Sequence, residues 1–522
     1  MPTPFEAAIV CTRYSHIQWR FTENKPLSAS TMNEHRLRQL HAVNGTALDK
    51  ELAKAITSTG THPIGEQIPK LAQATLEELS TELDARRFTS CQLVQTYKRR
   101  IAKVNNKFNV VLKINPEAEK IAKQLDEERQ EGKIRRSLHG IPVLLKDIYT
   151  DNHTSTSAGS YALLGSKAPR EATANFRSGP SNGTNGWSAR GGQTYGAFFP
   201  GTKAEGSSSG SAISAILGLA FAVIRTKQRR WVAPTVGLVA RDGILPLSNR
   251  QDTVGPCART VKCAAHILTV ISGKSAYDNA TEAIPFESIP KYEEACEGTR
   301  LDGLRIGVPR EAIADADDVV LEAFERALEL LASAGATIVN NVTFSSIKEW
   351  NEWGPASKRA CLQAEFKYSI ENWLQVLVEN PNNIYTLQDI MGFTMSDPRE
   401  CYPERDIQRW EWIQEGPDYA STEYQELLNK MYRLAGEQRM LEAMEKHALD
   451  VTVKIASIQG SKRDPTTTFA AQLGLPAITV PLGFYPEDTE PVNHRGDIFN
   501  IAPHVPFGIT FTGKAFTEEL LF

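Results

Sequence analysis

Residues 206–224 read GSSSGSAISAILGLAFAVI: a serine-and-glycine turn that opens directly into thirteen small or apolar residues, Ala212–Ile224. Glycine lets the backbone take conformations that a Cβ forbids, and hydroxyl side chains suit the start of a helix. The apolar run is too short to cross a bilayer, so the expectation is a helix buried in a protein core. Arg225–Trp231 follows as RTKQRRW, with four cations in seven residues. A buried element should lead into a tight turn or another core element. Here it leads into charge that is expected to be solvated.

Outward from this stretch, Gly140–Asp147 reads GIPVLLKD. Five consecutive apolar residues before a lysine describe a strand covered on both faces, with Lys146 at its end. That lysine either snorkels to solvent or is held in the core. In the core, burial would penalise its ammonium form and bring its pKa from about 10.4 toward neutrality, as a general base requires. Further upstream, Thr75 and Glu78 form a capping box ahead of Leu76, Leu79 and Leu83. A second helix is expected from Thr89, with Leu93, Val94, Tyr97 and Ile101 inward. Val110–Ile114 reads as a strand, Pro116 opens a third helix through Leu125, and Asp126–Arg136 reads as solvated surface. Residues 1–70 show no sustained period and read as an arm, leaving 71–522 as one domain. Between Asn152 and Pro200 the chain is loop-like, unusual inside a compact core.

Downstream, Val236–Leu247 returns to core-like texture and Asp252–Val261 reads DTVGPCARTV. Residues 304–340 form a β-α-β pattern. It comprises strand Arg305–Val308, a helix capped by Asp317 with Val320, Phe324, Ala327 and Leu331 inward, a stop at Gly335, and strand Thr337–Val339. Residues 345–448 are amphipathic helices whose tryptophans read as core or groove wall. Thr466–Pro481 reads as a packed helix followed by a buried strand. The final FTEELLF is an apolar helical beginning without a cap, which points to truncation.

The chain has 522 residues, 41% hydrophobic and 23% charged, with net charge −4 and pI near 6.3. That composition is globular, and its charge argues against nucleic acid or an anionic membrane surface as partner. Seven scattered cysteines without a CxxC suit reduced thiols in the cytosol, neither a disulfide frame nor a zinc site. No secretory leader and no membrane-spanning run is read. The N-x-S/T sites at Asn44, Asn152, Asn182, Asn279 and Asn341 are then chance matches.

Lys146 in GIPVLLKD, the Gly206–Ala212 turn, Asp252–Val261 and Gly474–Pro481, in this order, resemble the amidase signature family. GSYALLGSK, GWSARGGQTYGAFFPG and VGLVARDGILPLS are similar to its fungal and bacterial amidases. The resemblance covers roughly residues 70–522. It implies an α/β fold, a mixed β-sheet wrapped by helices, and hydrolysis of small carboxylic amides through an acyl-enzyme, without metal or cofactor. By position, Lys146 matches the family lysine. Ser207 matches the serine that relays protons between that lysine and the nucleophile, and its peptide bond is cis in the family. Ser208 and the loop residues Gly191, Gly192 and Gln193 would border the substrate.

The chain departs from the pattern where the nucleophile belongs. That serine should lie in a segment resembling GTxxGGSI just after Ile224, and counting from Ser207 its place is taken by Trp231. No serine occurs between Ser214 and Ser248. A second gap falls near Ala172–Asn175, so the fold is expected to be incomplete. Intact texture on both sides of each gap reads as missing coding segments, with evolutionary loss as the alternative. The expectation is little or no amidase activity.

Three other readings compete. Gly206–Gly210 satisfies G-x-S-x-G, so Ser208 could be an α/β-hydrolase nucleophile served by His266, His447, His494 or His504, although no convincing strand precedes it. The same turn could bind an anion at a helix N-terminus, but no Gly-Lys-Ser/Thr follows. A degenerate scaffold could bind an amide or a partner without catalysis, with Arg225–Arg230 as a basic contact or a solvated patch.

Overall fold

The computed structural model describes residues 68, 71, 74–147, 149, 157–167, 185–204, 206–227, 232–242, 244–298, 300–456, 466–495 and 498–522. The arm before residue 68, the gap at Ala172–Asn175 and Trp231 lie outside the described residues.

Three helices come first, and local chemistry sets their starts. In α1 (Leu76–Asp84) the Thr75 hydroxyl accepts from Glu78 N while the Glu78 carboxylate accepts from Thr75 N. Thr89 and Gln92 repeat the device for α2 (Ser90–Phe108), which buries Leu93, Val94, Tyr97 and Ile101 as expected. The third helix, α3, runs Ala118–Gln130, starting later than Pro116 and continuing past Leu125. Asp126 on it accepts from Ser90 N at 2.6 Å and Cys91 N at 3.0 Å, so part of the stretch read as solvated surface caps α2. Val110–Ile114 pairs with no strand among the described residues. The Asn105 amide supplies the hydrogen bonds a ladder would have made, accepting from Val110 N and Val111 N and donating to Val111 O.

The opening stretch divides differently from its expected single helix. After β1 (Val143–Leu145) and a hairpin of β2 (Trp187–Ser188) and β3 (Gly192–Gln193), helix α4 spans only Ser209–Ile216. Gly218 takes φ +62°, a conformation open to glycine, and ends the helical segment. Ala222–Lys227 is then a strand, β4, where the β-branched Val223, Ile224 and Thr226 fit a pleated surface. β4 is central in a mixed three-stranded sheet, parallel to β1 and antiparallel to β5 (Thr253–Cys257). For Arg225 that pairing corrects the expectation of solvated charge, because Arg225 is 2% and Thr226 7% exposed; the side chains of 227–231 lie outside the described residues. It also makes β1 an edge strand. Leu145 is 43% exposed, so the strand is not covered on both faces.

Helix α5 (Val261–Ile271) leads into a second sheet. Its strands are β6 (Arg305–Gly307) and, after helix α6 (Asp318–Ser333), β7 (Thr337–Val339). Helix α7 (Pro355–Gln375), β8 (Val451–Ala456), helix α8 (Thr466–Gln472) and β9 (Ala477–Phe484) follow. A small pair, β10 (Val492–Arg495) and β11 (Ile498–Ile501), precedes β12 (Pro506–Thr512). The order is β7-β6-β8-β12-β9, parallel around β6 and antiparallel around β12. Val320, Phe324, Ala327 and Leu331 of α6 pack into the main core as expected. Asp317 sits at the N-cap position without capping, since its carboxylate accepts the Tyr485 hydroxyl at 2.5 Å. Among the tryptophans of 345–448, Trp350, Trp353, Trp373 and Trp410 are buried, as core. The last helix, α9 (Glu518–Leu521), brings Phe522 against the Tyr292 ring at 5.9 Å.

The two sheets meet at residues 232–233. Ala233 and Ala477 exchange backbone hydrogen bonds of 2.7 and 2.8 Å, while a Cβ at Gly255 on β5 would lie 2.3 Å from Val232 O. Helix α7 is fastened nearby through Glu365, 2% exposed, which accepts from Arg250 Nε at 2.8 Å, from the Tyr424 hydroxyl at 3.2 Å and from Ser248 Oγ. Glu365→Leu leaves the Arg250 cation buried without its carboxylate. A loss of about 3–5 kcal/mol in denaturant unfolding is expected.

Candidate active site

Lys146 is placed by strand pairing. Its backbone N–H donates to Ile224 O at 3.1 Å, carrying the β1–β4 ladder one residue further. The side chain is 8% exposed, which settles the snorkelling question in favour of the core. Its Nζ lies 2.9 Å from Ser207 Oγ and 3.4 Å from Thr226 Oγ1. Ser207 comes from the turn ahead of α4, where Gly206 takes φ +80° and Ser209 Oγ donates to Ala204 O at 2.9 Å. Ser208 Oγ donates to Thr226 O at 3.1 Å, tying the same turn to β4. Two strands and one turn thus bring together a lysine and a serine 61 positions apart. Among the described residues the one cis peptide bond is Tyr402–Pro403, so the bonds flanking Ser207 are trans, unlike the family expectation.

Burial lowers the Lys146 pKa from 10.5 to about 7; the neighbouring Arg225 guanidinium lowers it further and the Asp252 carboxylate opposes. At neutral pH a sizeable fraction of this amine is therefore unprotonated and able to accept a proton. Arg225 is itself pulled down by burial. Asp252, 4% exposed, is pushed up by burial, against hydrogen bonds from Ser248 N at 2.9 Å and Leu247 N at 2.6 Å. Thr226, Arg225 and Asp252 were missed as site residues by reading the sequence. Thr226 and Arg225 were hidden in a run that reads as surface charge.

The loop residues are engaged in their own hairpin. Gln193 Nε2 donates to Asn185 O and Thr194 O, both at 2.9 Å, and its carbonyl accepts from Asn109 Nδ2 at 3.0 Å. Gly191 N donates to Ser188 Oγ at 3.0 Å, and Gly192 pairs with Ser188 across the hairpin. The loop does approach the turn. A Cβ at Gly186 would lie 3.2 Å from both Gln193 Nε2 and Ser209 Oγ.

A hydrolase triad at Ser208 finds no support here. Among the described residues no hydrogen bond joins Ser208 to a histidine, and His266 faces Glu77 at 3.3 Å and Glu293 at 3.5 Å. Among the described residues, no group of three or more His, Cys, Asp or Glu could hold a metal ion, and no helix is long and apolar enough to cross a membrane. Six cysteines there are free.

The family described as Amidase matches residues 92–176 and 232–522. Lys146 lies in the first block and Asp252 in the second, with Ser207 between them. A relative in Arthroderma benhamiae that bears an amidase name is 38% identical, over 87% of this chain and 84% of its own length. Another, in Arabidopsis thaliana, is 30% identical over 86% and 88%. The solved native peptide amidase from Stenotrophomonas maltophilia superposes with a TM-score of 0.73 at 29% identity, covering 86% of this chain and 95% of that one. An amidase family protein from Bacillus anthracis shares the fold, with a TM-score of 0.71 at 24% identity. With its motifs, its mixed sheets wrapped by helices and its long relatives in agreement, the chain belongs to the amidase signature family of hydrolases.

Proposed function

We propose that this chain is an amidase-family protein that keeps the base and the proton relay of serine amide hydrolysis at Lys146 and Ser207. It lacks the nucleophile they would activate, so it binds small carboxylic amides with little or no turnover. The observation carrying the reading is the 2.9 Å contact between a buried Lys146 Nζ and Ser207 Oγ. In the proposed chemistry a neutral Lys146 would draw a proton through Ser207 from a third hydroxyl, and backbone N–H groups would hold the oxyanion. By resemblance the third hydroxyl belongs at position 231, which is Trp231. An indole cannot attack a carbonyl. Six free thiols among the described residues support placement in a reducing compartment such as the cytosol.

The test is turnover of p-nitroacetanilide and benzamide by the purified chain, with fluorophosphonate labelling and mapping of any labelled serine. Release at the buffer rate and no labelled serine are expected. Hydrolysis above buffer that disappears in Ser207→Ala overturns the proposal, and a label on Ser208 would favour the hydrolase reading.

A further inference from the structure

A cavity of about 240 Å³ opens beside Asp252, between the Arg241–Asp252 segment and α7. Lys146 and Ser207 do not line it. Most of the donors on its wall are engaged or sealed off. Arg241 gives Nε and Nη2 to the two oxygens of Asp278 at 2.8 and 2.7 Å, and Nη1 to Asn249 O. Asn372 Nδ2 donates to Tyr368 O at 2.8 Å. Ser369 Oγ and Trp373 Nε1 have no accessible surface, so neither reaches the space.

What the wall presents instead is acceptors and rings. Asp252, 4% exposed, takes the Leu247 and Ser248 N–H groups on Oδ2, and Oδ1 accepts no hydrogen bond among the described residues. No cation pairs with this carboxylate among the described residues. Lys146 turns its Nζ to Ser207 and Thr226 and acts on Asp252 only through its charge, and Arg241 is paired with Asp278. A buried carboxylate is costly without a cation, and burial pushes the Asp252 pKa up. Nearer the mouth, the exposed Asn372 keeps its amide oxygen without a hydrogen bond among the described residues. Trp373 and Tyr368 line the same space, and Tyr368 is 45% exposed although its ring stacks on Tyr419 at 4.1 Å. Aromatic faces attract cations, so the carboxylate, the amide oxygen and the rings favour one kind of guest. A volume below the roughly 300–1,000 Å³ of pockets for drug-sized ligands makes that guest small. No group of three or more His, Cys, Asp or Glu among the described residues could hold a metal ion, so the cation is organic.

We infer that this cavity binds a small primary ammonium ion, its N–H groups donating to Asp252 Oδ1 and to the Asn372 amide oxygen and its carbon skeleton lying against Trp373 and Tyr368. The inference goes beyond the proposed function and depends neither on the loss of turnover nor on amide binding at the lysine–serine pair. Asp252 also favours the ammonium form of Lys146, so a bound cation competes for that carboxylate and leaves the lysine more readily neutral.

The experiment is calorimetric titration of the full chain at neutral pH with benzylammonium chloride. Benzyl alcohol serves as the same ring and reach without the charge, and potassium chloride as a simple cation. Parallel titrations use Asp252→Asn, which keeps an oxygen for the two backbone N–H groups, and Tyr368→Leu, each checked for native circular dichroism and thermal unfolding. Benzylammonium is expected to bind, with benzyl alcohol at least about tenfold weaker. Asp252→Asn is expected to weaken benzylammonium about tenfold or more, and Tyr368→Leu about threefold. Affinity unchanged in a folded Asp252→Asn variant overturns the inference. Where that variant does not fold, Tyr368→Leu and the alcohol decide: equal affinity for the two ligands, or no loss in Tyr368→Leu, overturns it. Displacement of benzylammonium by potassium chloride at equal concentration marks an adventitious ion only and overturns it. Affinity lost in Ser207→Ala but kept in Asp252→Asn places the amine at the lysine–serine pair and overturns the cavity assignment. Absence of binding to the folded wild-type chain overturns it as well. The proposed loss of turnover is read separately, by the hydrolysis assay.

Discussion

Four substitutions, Arg225→Gly, Arg229→Gly, Arg230→Gly and Trp231→Ser, are expected to raise amide hydrolysis by about 10³-fold or more over the parent chain. They convert Arg225–Val232 into the GTxxGGSI-like pattern without changing its length, keeping Thr226, Lys227 and Gln228 in place. The proposed site already holds a base of lowered pKa and a serine at 2.9 Å from it. What it lacks on this reading is the attacking hydroxyl and the flexible backbone donors ahead of it, and those two terms dominate serine acyl transfer. Arg225→Gly carries a second consequence. It removes a buried guanidinium that depresses Lys146, so the lysine pKa moves up and the hydrolysis optimum is expected above pH 7. Glycine in strand β4 costs about 1 kcal/mol, offset by relief of a buried charge. The measurement is p-nitroaniline release between pH 7 and 10, repeated with Ser207→Ala in the four-substitution background, which should return the rate to the parent level. No gain in a folded variant would sink the idea that a serine at position 231 is what the site is missing.

What the residues disclosed in advance was mostly local. The Thr75–Glu78 box and the inward faces of α2 and α6 each depend on residues within a few positions, and each formed where the pattern placed it. The α4–β4 boundary was not legible, because ISAILGLAFAVI is small or apolar throughout and carries no period to separate a buried helix from a buried strand. Gly218 was the available signal, and its meaning depends on a turn that only strand pairing reveals. The burial of Arg225 was hidden for the same reason: β1 and β5 flank β4, so a residue that reads as surface charge is enclosed by its neighbours. Side chains also displaced expected backbone structure. Asn105 satisfies Val110 and Val111 in place of a strand partner, and Tyr485 takes the carboxylate that Asp317 would have used as a cap. The lysine–serine contact belongs to a third kind. Spacing could not place Lys146 beside Ser207, because their meeting depends on parallel pairing of two strands far apart in sequence, and only resemblance anticipated it.

Lys146→Met is expected to make the protein more stable at pH 6 and to flatten its stability profile between pH 7 and 10. The folded chain lowers the lysine pKa from 10.5 to about 7, mainly by burial. Below pH 7 the lysine is charged in both folded and unfolded chains, and the whole burial penalty is present. Between about 7 and 10.5 the unfolded chain binds the proton and the folded chain does not, so stability rises with pH. Above that window both forms are neutral and the penalty is gone. At 1.36 kcal/mol per pH unit, lowering from 10.5 to about 7 corresponds to a penalty of about 5 kcal/mol. Methionine is of similar length and carries no charge, so it removes the penalty at every pH. It also takes away the Lys146 contact of Ser207 Oγ, at a pH-independent cost of about 1 kcal/mol. The net gain at pH 6 is then about 4 kcal/mol, falling to about zero near pH 10. Arg225, pulled down by burial, and Cys257, pushed up by burial, are common to both proteins, so the wild-type-minus-variant difference isolates the lysine. Urea unfolding of both proteins at pH 6, 7, 8, 9 and 10 measures it. A difference that stays constant with pH would mean that Lys146 keeps its proton in the folded chain. It could then not act as the base, and the proposed relay through Ser207 would fail with it.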